Sequence, residues 1–91
     1  SFIMLEDEIV IMNVERYIEV YSNETDELLY SYKITIPDHL VIEIVSPDED
    51  DEFAIFPYAL TQEKVISLGG RHIIDEYHNK DVGYYVACYQ A

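Results

Sequence analysis

The sequence predicts an α+β domain: an antiparallel sheet built on a long β-hairpin and a C-terminal strand, with one or two short helices packed on one face. Three observations support this fold class. Residues 16–36 alternate apolar and polar side chains on both sides of a central turn. Residues 82–89 are rich in strand-forming side chains and almost free of charge. Between them, Thr61 and Gly69-Gly70 bracket a short segment with helical spacing.

The hairpin is predicted from residues 16–36, RYIEVYSNETDELLYSYKITI. Pairing Tyr21 with Leu29, around a loop centred on Thr25, separates the side chains into two faces. The face predicted to join the core carries Val14, Ile18, Val20, Tyr30, Tyr32, Ile34 and Ile36. The face predicted to meet water carries Glu15, Tyr17, Glu19, Tyr21, Ser31, Lys33 and Thr35. Residues 23–26 suit a type I turn followed by a left-handed residue, a conformation that Asp26 tolerates.

The segments on either side of the hairpin are predicted as follows. Residues 9–12 begin or extend the first long strand, with a bend near Asn13. Residues 39–45 have helical spacing and a candidate cap in Asp38, although their β-branched side chains favour a strand. The turn signals that flank this segment favour a short helix.

The second half of the chain is predicted to alternate loops with short elements. Residues 46–52 form an acidic loop, and the apolar residues 53–58 anchor it to the body of the domain. A helix capped by Thr61 ends at Gly69-Gly70. Residues 71–77 form a short strand or helical turn with Ile73, Ile74 and Tyr77 inward, and residues 78–81 form a turn. The final strand is expected beside the hairpin and covered on both faces.

Length and composition predict one domain spanning residues 1–91. A chain of 91 residues with 49% hydrophobic content can bury a modest core and is too apolar to be disordered. Its single cysteine, Cys88, cannot form an internal disulfide and is expected to be a buried, inert thiol. The apolar segment at residues 2–5 is too short for a signal peptide or a membrane span. We therefore expect a cytoplasmic protein that does not contact membranes.

Charge is the most informative global property. Nineteen acidic residues against five basic ones give a net charge of −14, which opposes binding to nucleic acid and favours a basic protein surface. The acids are clustered at residues 6–8, 24–27, 48–52 and 75–76. A single cluster is usually a solvated surface. In the run of five acids at residues 48–52, however, adjacent like charges repel one another, and a basic partner would relieve that repulsion.

Motifs for catalysis and cofactor binding are missing from the sequence. Gly69-Gly70 is not part of a phosphate-binding loop, and His39, His72 and His78 lack metal-ligand spacing. The run at residues 48–52 lacks the spacing of an EF-hand, so any calcium binding is expected to be loose. No serine lies in a nucleophile motif. The sequence predicts a protein that is not an enzyme and has no cofactor and no metal site.

Three segments of the chain, taken in order, resemble a known protein family. The hairpin RYIEVYSNETDELLYSYKI, the segment FPYALTQEKVISL and the final strand GYYVACYQA resemble an uncharacterised family of small acidic bacterial proteins. These are similar to immunity proteins, which bacteria make beside polymorphic toxins such as those of contact-dependent growth inhibition systems. The resemblance covers most of the chain from Arg16 onward and departs from the usual pattern at the hairpin tip, where Asp26 replaces the commoner glycine. It implies a protein that acts by binding and has no catalytic residues.

The expected partner is therefore a cognate toxin with a basic C-terminal domain, such as a nuclease. Its expected binding residues on this chain are Glu15, Tyr17, Glu19, Tyr21, Asp48, Glu49, Asp50, Asp51, Glu52 and Tyr58. Tyrosines alternating with acids have the composition of an interface hot spot, although they are also ordinary strand formers that a helix or loop can cover. The alternative function is a structural or self-associating module that pairs through an exposed hairpin edge.

Overall fold

A four-stranded antiparallel sheet with three short helices forms the fold of this protein, as a computed structural model shows. The structure describes the backbone of residues 2–5 and 8–11, and backbone and side chains of residues 14–51 and 54–90. In chain order the elements are β1 (Phe2–Leu5), β2 (Glu8–Ile11), β3 (Val14–Ser22), β4 (Leu28–Lys33), α1 (Asp38–Val45), β5 (Tyr58–Leu60), α2 (Gln62–Ser67), α3 (Arg71–Tyr77) and β6 (Val82–Gln90). The strand order β4-β3-β6-β5 confirms the predicted α+β class.

The predicted hairpin is confirmed along most of its length. Pairs from Tyr17 with Lys33 to Val20 with Tyr30 follow the predicted register. A bulge after Val20 then brings Tyr21 opposite Leu28 instead of the predicted Leu29. At the tip Asp26 has a φ of 60°, as predicted. The Ser22 hydroxyl accepts hydrogen bonds from the backbone N–H groups of residues 24 and 25, which stabilises the turn.

The N-terminal prediction was wrong. Residues 8–11 are not part of β3 but form a separate strand that pairs antiparallel with β1 in a two-stranded sheet. The apolar run at residues 2–5 is the partner closest in sequence, and strands adjacent in sequence commonly pair. Met12, the bend near Asn13 and the acids at positions 6 and 7 lie outside the described residues.

The helices follow their sequence signals, with one correction. Helix α1 forms as predicted, but Asp38 does not cap it: Asp38 is its first residue, and its carboxylate accepts a 2.7 Å hydrogen bond from Arg16 Nη1. The buried Arg16 guanidinium needs a counter-charge, which outweighs the gain from capping. Helix α2 is capped by Thr61 Oγ1, which accepts from Lys64 N. It ends before Gly69, whose φ is +94°. Residues 71–77 are helical.

The core lies between the three helices and one face of the sheet. The sheet and the residue that follows β4 contribute Ile18, Val20, Ile34, Leu60, Tyr84 and Val86. The helices and adjoining residues contribute Val41, Val45, Ala54, Val65, Leu68, Ile73 and Ile74. None of the described helices has the length and apolar character needed to cross a membrane.

The last strand confirms one prediction and corrects another. Strand β6 lies between β3 and β5, and thus beside the hairpin as predicted. It is not covered on both faces, because Tyr85 and Tyr89 remain 36% and 49% exposed. These two side chains belong to the sheet face opposite the helices, which we call the open face. Among the described residues no helix packs against it.

The apolar segment at residues 53–58 anchors the acidic loop only in part. Ala54 is buried, whereas Ile55 and Phe56 are 37% and 64% exposed. Phe53 lies outside the described residues. The segment leads into β5, a strand that the sequence analysis did not predict, and β5 pairs with β6 from Tyr58 to Leu60.

Candidate functional site

The open face is built by the central strand pair, β3 and β6. Opposed residues on antiparallel strands point to the same side of a sheet, so the register fixes which side chains meet there. Glu15 lies opposite Tyr89, Tyr17 opposite Ala87, Glu19 opposite Tyr85 and Tyr21 opposite Gly83. Two strands distant in sequence therefore place tyrosines and glutamates together on the face without helices.

The tyrosines of the open face form two diagonal pairs across the strands. The rings of Tyr17 and Tyr89 lie 5.8 Å apart at 68°, and those of Tyr21 and Tyr85 lie 5.7 Å apart at 76°. Both pairs have the edge-to-face geometry that aromatic rings prefer. A Cβ atom at Gly83 would lie 3.0 Å from the Tyr85 ring, so the missing side chain at position 83 leaves room for this ring on the open face.

Glu19 lies beneath these rings. Tyr21 Oη donates to Glu19 Oε1 over 3.1 Å, and Tyr89 Oη donates to Glu19 Oε2 over 2.6 Å. Glu19 is only 6% exposed. The prediction that it meets water on the hairpin face is therefore wrong, because phenols from two strands reach over the carboxylate and replace its hydration.

Hydrogen bonding to carboxylates perturbs the titration of this face. The bond to Glu19, followed by burial and the negative charge of Glu19, raises the pKa of Tyr89 to about 12. Burial and the bond to Glu19 raise the pKa of Tyr21, while the bond to Glu15 raises that of Tyr17. The pKa of Glu15 is lowered by hydrogen bonds from Tyr17 and Lys33. These phenols thus stay protonated, and able to donate, at neutral pH.

This arrangement makes the stability of the protein sensitive to alkaline pH. A tyrosine whose native pKa exceeds its ordinary value of 10 stabilises the fold below pH 10, and this contribution is lost as the pH rises towards the native value near 12. We expect the free energy of unfolding to fall between pH 10 and 12, and to fall less in Tyr89→Phe. Urea denaturation at stepped pH measures both slopes. Identical slopes would contradict the assigned bond between Tyr89 and Glu19.

An open cleft of about 540 Å³ lies at the end of this face. Glu19 and the rings of Tyr21, Tyr85 and Tyr89 line it, with Asp26 from the hairpin tip. Exposed Ile55 and Pro57, from the segment before β5, also line it. The cleft therefore combines aromatic, carboxylate and apolar side chains.

Asp51 of the acidic loop and Tyr58 form a hydrogen-bond network. Asp51 is 5% exposed and accepts hydrogen bonds from Ile55 N, Phe56 N and Tyr58 Oη at 2.9, 3.1 and 2.6 Å. Tyr58 Oη accepts in turn from Asp48 N at 3.3 Å. Asp51 accepts from backbone N–H groups that lie outside the strand pairing, so Asp51 and Tyr58 hold the loop in shape.

The predicted site residues therefore fall into two groups. Glu15, Tyr17, Glu19 and Tyr21 share the open face, whereas Tyr58 lies opposite Val86 and shares the helix-bearing face. Asp48, Glu49 and Asp50 are exposed in the acidic loop, and Glu52 lies outside the described residues.

The sequence analysis missed Tyr85 and Tyr89. Their spacing of four places both on the same face of a strand, which is the signal that would have found them. The spacing was not used because residues 82–89, an almost uncharged run, were expected to form a strand covered on both faces.

Most basic residues of the described ranges already pair with groups of the protein itself. Ion pairs join Arg16 to Asp38, Lys33 to Glu15 and Lys80 to Glu76, and Lys64 Nζ donates to the carbonyl of Val45. Within residues 14–51 and 54–90 there is no group of three or more acids, histidines or cysteines placed to hold a metal ion. The absence of a metal or cofactor stays a prediction.

Fold and site define a small α+β domain whose sheet keeps one face free of its described helices and lines that face with tyrosines and glutamates. The chain belongs to the family described as "Domain of unknown function (DUF7683)", whose family model matches residues 15–87. The match includes β3 from Glu15 and β6 up to Ala87, and hence most of the open face. No curated protein and no solved structure matches the chain.

Proposed function

We propose that this protein is a non-catalytic binding domain that neutralises a basic protein partner through its open face, like the immunity proteins it resembles. The partner in this proposal is a cognate bacterial toxin domain, such as a nuclease with a basic surface. One observation carries the proposal: the open face joins ordered, partly exposed tyrosines to carboxylates on a chain with a net charge of −14.

The tyrosines supply the affinity in this proposal. Tyrosine is enriched at interface hot spots because it brings a large contact area with few rotatable bonds. On the open face, ring pairing and hydrogen bonds to Glu15 and Glu19 already hold Tyr17, Tyr21 and Tyr89 in place. A partner would therefore dock on a surface whose side-chain entropy has largely been lost on folding.

The acids supply steering. Two of the acidic clusters are exposed, at residues 23–27 of the hairpin tip and residues 48–50 of the acidic loop. Most of the acids of these two clusters lie in those exposed positions. On the open face Lys33 is paired with Glu15 at 3.3 Å, so its charge is offset. A field of one sign accelerates encounter with a basic surface and weakens as salt is added.

The interface of this proposal differs from the one expected from sequence. Glu15, Tyr17, Glu19 and Tyr21 stay in it, and Tyr85 and Tyr89 join them. Exposed Asp48, Glu49 and Asp50 contribute charge, while Asp51 and Tyr58 contribute only by shaping the loop.

The test begins with recovery of the partner. The tagged protein is used to capture the basic C-terminal domain encoded beside its gene, and the Kd is measured at several salt concentrations. Tyr85→Ala is expected to raise the Kd at least tenfold, about 1.4 kcal/mol. Tyr30→Ala is the matched control, because Tyr30 is 38% exposed, close to the 36% of Tyr85, but lies on the opposite face. Equal effects of the two variants would contradict the proposed face.

A second candidate function is self-association through β4. This strand lies at the edge of the sheet, and its residues Leu28, Leu29 and Tyr30 are 50%, 42% and 38% exposed. An edge strand with apolar side chains is a template for pairing with a second copy. Light scattering that gives a monomer mass at every protein concentration would exclude this function.

A further inference from the structure

The cleft at the end of the open face has a volume and a set of lining side chains that suit a flat organic cation. Its volume of about 540 Å³ falls within the range of small-ligand pockets. Tyr21, Tyr85, Tyr89 and Glu19 line it, and the Glu19 carboxylate accepts hydrogen bonds from Tyr21 and Tyr89. Aromatic faces attract cations through their quadrupole, and a nearby carboxylate adds to that attraction.

No cationic side chain of the described residues forms an ion pair with Glu19. All lysine, arginine and histidine residues of the sequence lie within the described ranges. The ion pairs formed there join Arg16, Lys33 and Lys80 to carboxylates other than Glu19. The two phenols stabilise the Glu19 carboxylate by hydrogen bonds but do not neutralise it.

The hydrogen bonds also leave room for further donors. Each carboxylate oxygen can accept two hydrogen bonds, and each Glu19 oxygen accepts one from a tyrosine. The phenol oxygens of Tyr21 and Tyr89, which donate to Glu19, keep lone pairs of their own. The cleft therefore offers several acceptor positions close together, in addition to the two that already receive the phenol hydrogen bonds.

We propose that this cleft binds the guanidinium group of an arginine side chain on the basic partner, with Glu19 as the charge-pairing group. The inference rests on the proposed function for the identity of the partner. A guanidinium suits the site better than an ammonium because it is planar, weakly hydrated, stacks on aromatic rings and donates in a fixed fork. Asp26, which also lines the cleft, adds a second carboxylate to it.

The proposal is tested on the full chain with a free probe, N-acetyl-argininamide. Binding is followed by NMR shifts of the tyrosine ring resonances. We expect saturable shifts at Tyr21, Tyr85 and Tyr89, and at least tenfold weaker binding of the neutral isostere N-acetyl-citrullinamide. N-acetyl-lysinamide is expected to bind several-fold more weakly than the arginine probe. Equal binding of the citrulline probe would overturn the proposal.

Variants locate the site. Glu19→Gln is expected to weaken the arginine probe at least tenfold, whereas Glu43→Gln, the same change at an exposed position on α1, is expected to leave binding unchanged. If Glu19→Gln does not fold, binding of the arginine probe is measured in Tyr85→Leu instead. This variant removes an aromatic ring of the cleft at a position that is exposed. Unchanged binding in the folded variant would overturn the proposal.

The two proposals can fail separately. A probe that binds while no basic partner is recovered would remove the proposed function and leave the guanidinium site. A partner whose Kd responds to Tyr85→Ala but not to Glu19→Gln would leave the proposed function and remove the guanidinium site.

Discussion

Replacing Asp51 with asparagine is expected to lower the free energy of unfolding by about 3 kcal/mol. The buried carboxylate accepts from three donors, the backbone N–H groups of Ile55 and Phe56 and the hydroxyl of Tyr58. Asparagine has the same size but carries one acceptor oxygen and an NH₂ group, so donors face a donor inside the protein. Urea denaturation followed by circular dichroism measures the loss.

Asp50→Asn is the control for this change. It removes the same charge from the neighbouring position, whose side chain is exposed. We expect a change within about 0.5 kcal/mol, as is usual for surface substitutions. A comparable loss in both variants would mean that charge, and not the buried hydrogen bonds, accounts for the effect.

The Asp51 interaction also has a pH signature. Burial alone would raise the pKa of Asp51, but the bonds from Tyr58, Ile55 and Phe56 and the charge of Arg16 outweigh it and lower the pKa below its ordinary 3.8. The stabilisation is therefore present above pH 3.8 and is lost as the pH falls through the lower native pKa. Below pH 4 the stability of the unmodified protein should fall more steeply than that of Asp51→Asn.

The second large effect is expected at Gly70. Gly70→Ala should lower the free energy of unfolding by about 2 to 3 kcal/mol, because the site has no room for a methyl group. A Cβ atom there would lie 2.7 Å from Val65 Cγ1, 2.9 Å from the Val65 carbonyl oxygen and 3.0 Å from Ile18 Cδ1. The φ of Gly70 is −101°, which alanine tolerates, so the cost is steric.

Two comparisons isolate that steric cost. In Gly69→Ala the added Cβ atom would lie 3.8 Å from Tyr32 Oη, its one close neighbour. This variant is expected to lose about 1 kcal/mol of unfolding free energy, because alanine is strained at a positive φ. Combining Gly70→Ala with Val65→Ala removes the nearest clashing atom. The double variant should therefore lose less than the sum of the single losses. Strict additivity would argue against the clash with Val65.

The sequence was sufficient for the elements whose signals are local. Alternation over residues 16–36 set the register of β3 with β4 because a slip would mix glutamates with the core. Thr61 and Gly69 marked the ends of α2 because capping and positive φ depend on single residues. In the candidate site, alternation also placed Tyr17, Glu19 and Tyr21 together.

The remaining features depend on contacts between distant segments. The side of the sheet that Glu19 occupies follows from alternation, but its burial depends on Tyr89, which arrives on another strand. Asp51 is one of five consecutive acids, and nothing in that run marks which one turns inward. Strand β5 has three residues, too few to establish a period.

The position of β6 at the centre of the sheet has a consequence for the order in which the protein can assemble. The β3–β4 hairpin is local and can form within microseconds of its synthesis. Strand β6 pairs with β3 from Val14 opposite Gln90 to Ser22 opposite Val82, across an intervening stretch that contains three helices. Closing so long a loop is entropically costly, and non-local pairing slows folding. A nascent chain that has not yet released β6 from the ribosome therefore lacks both the open face and the strand that joins the two edges of the sheet.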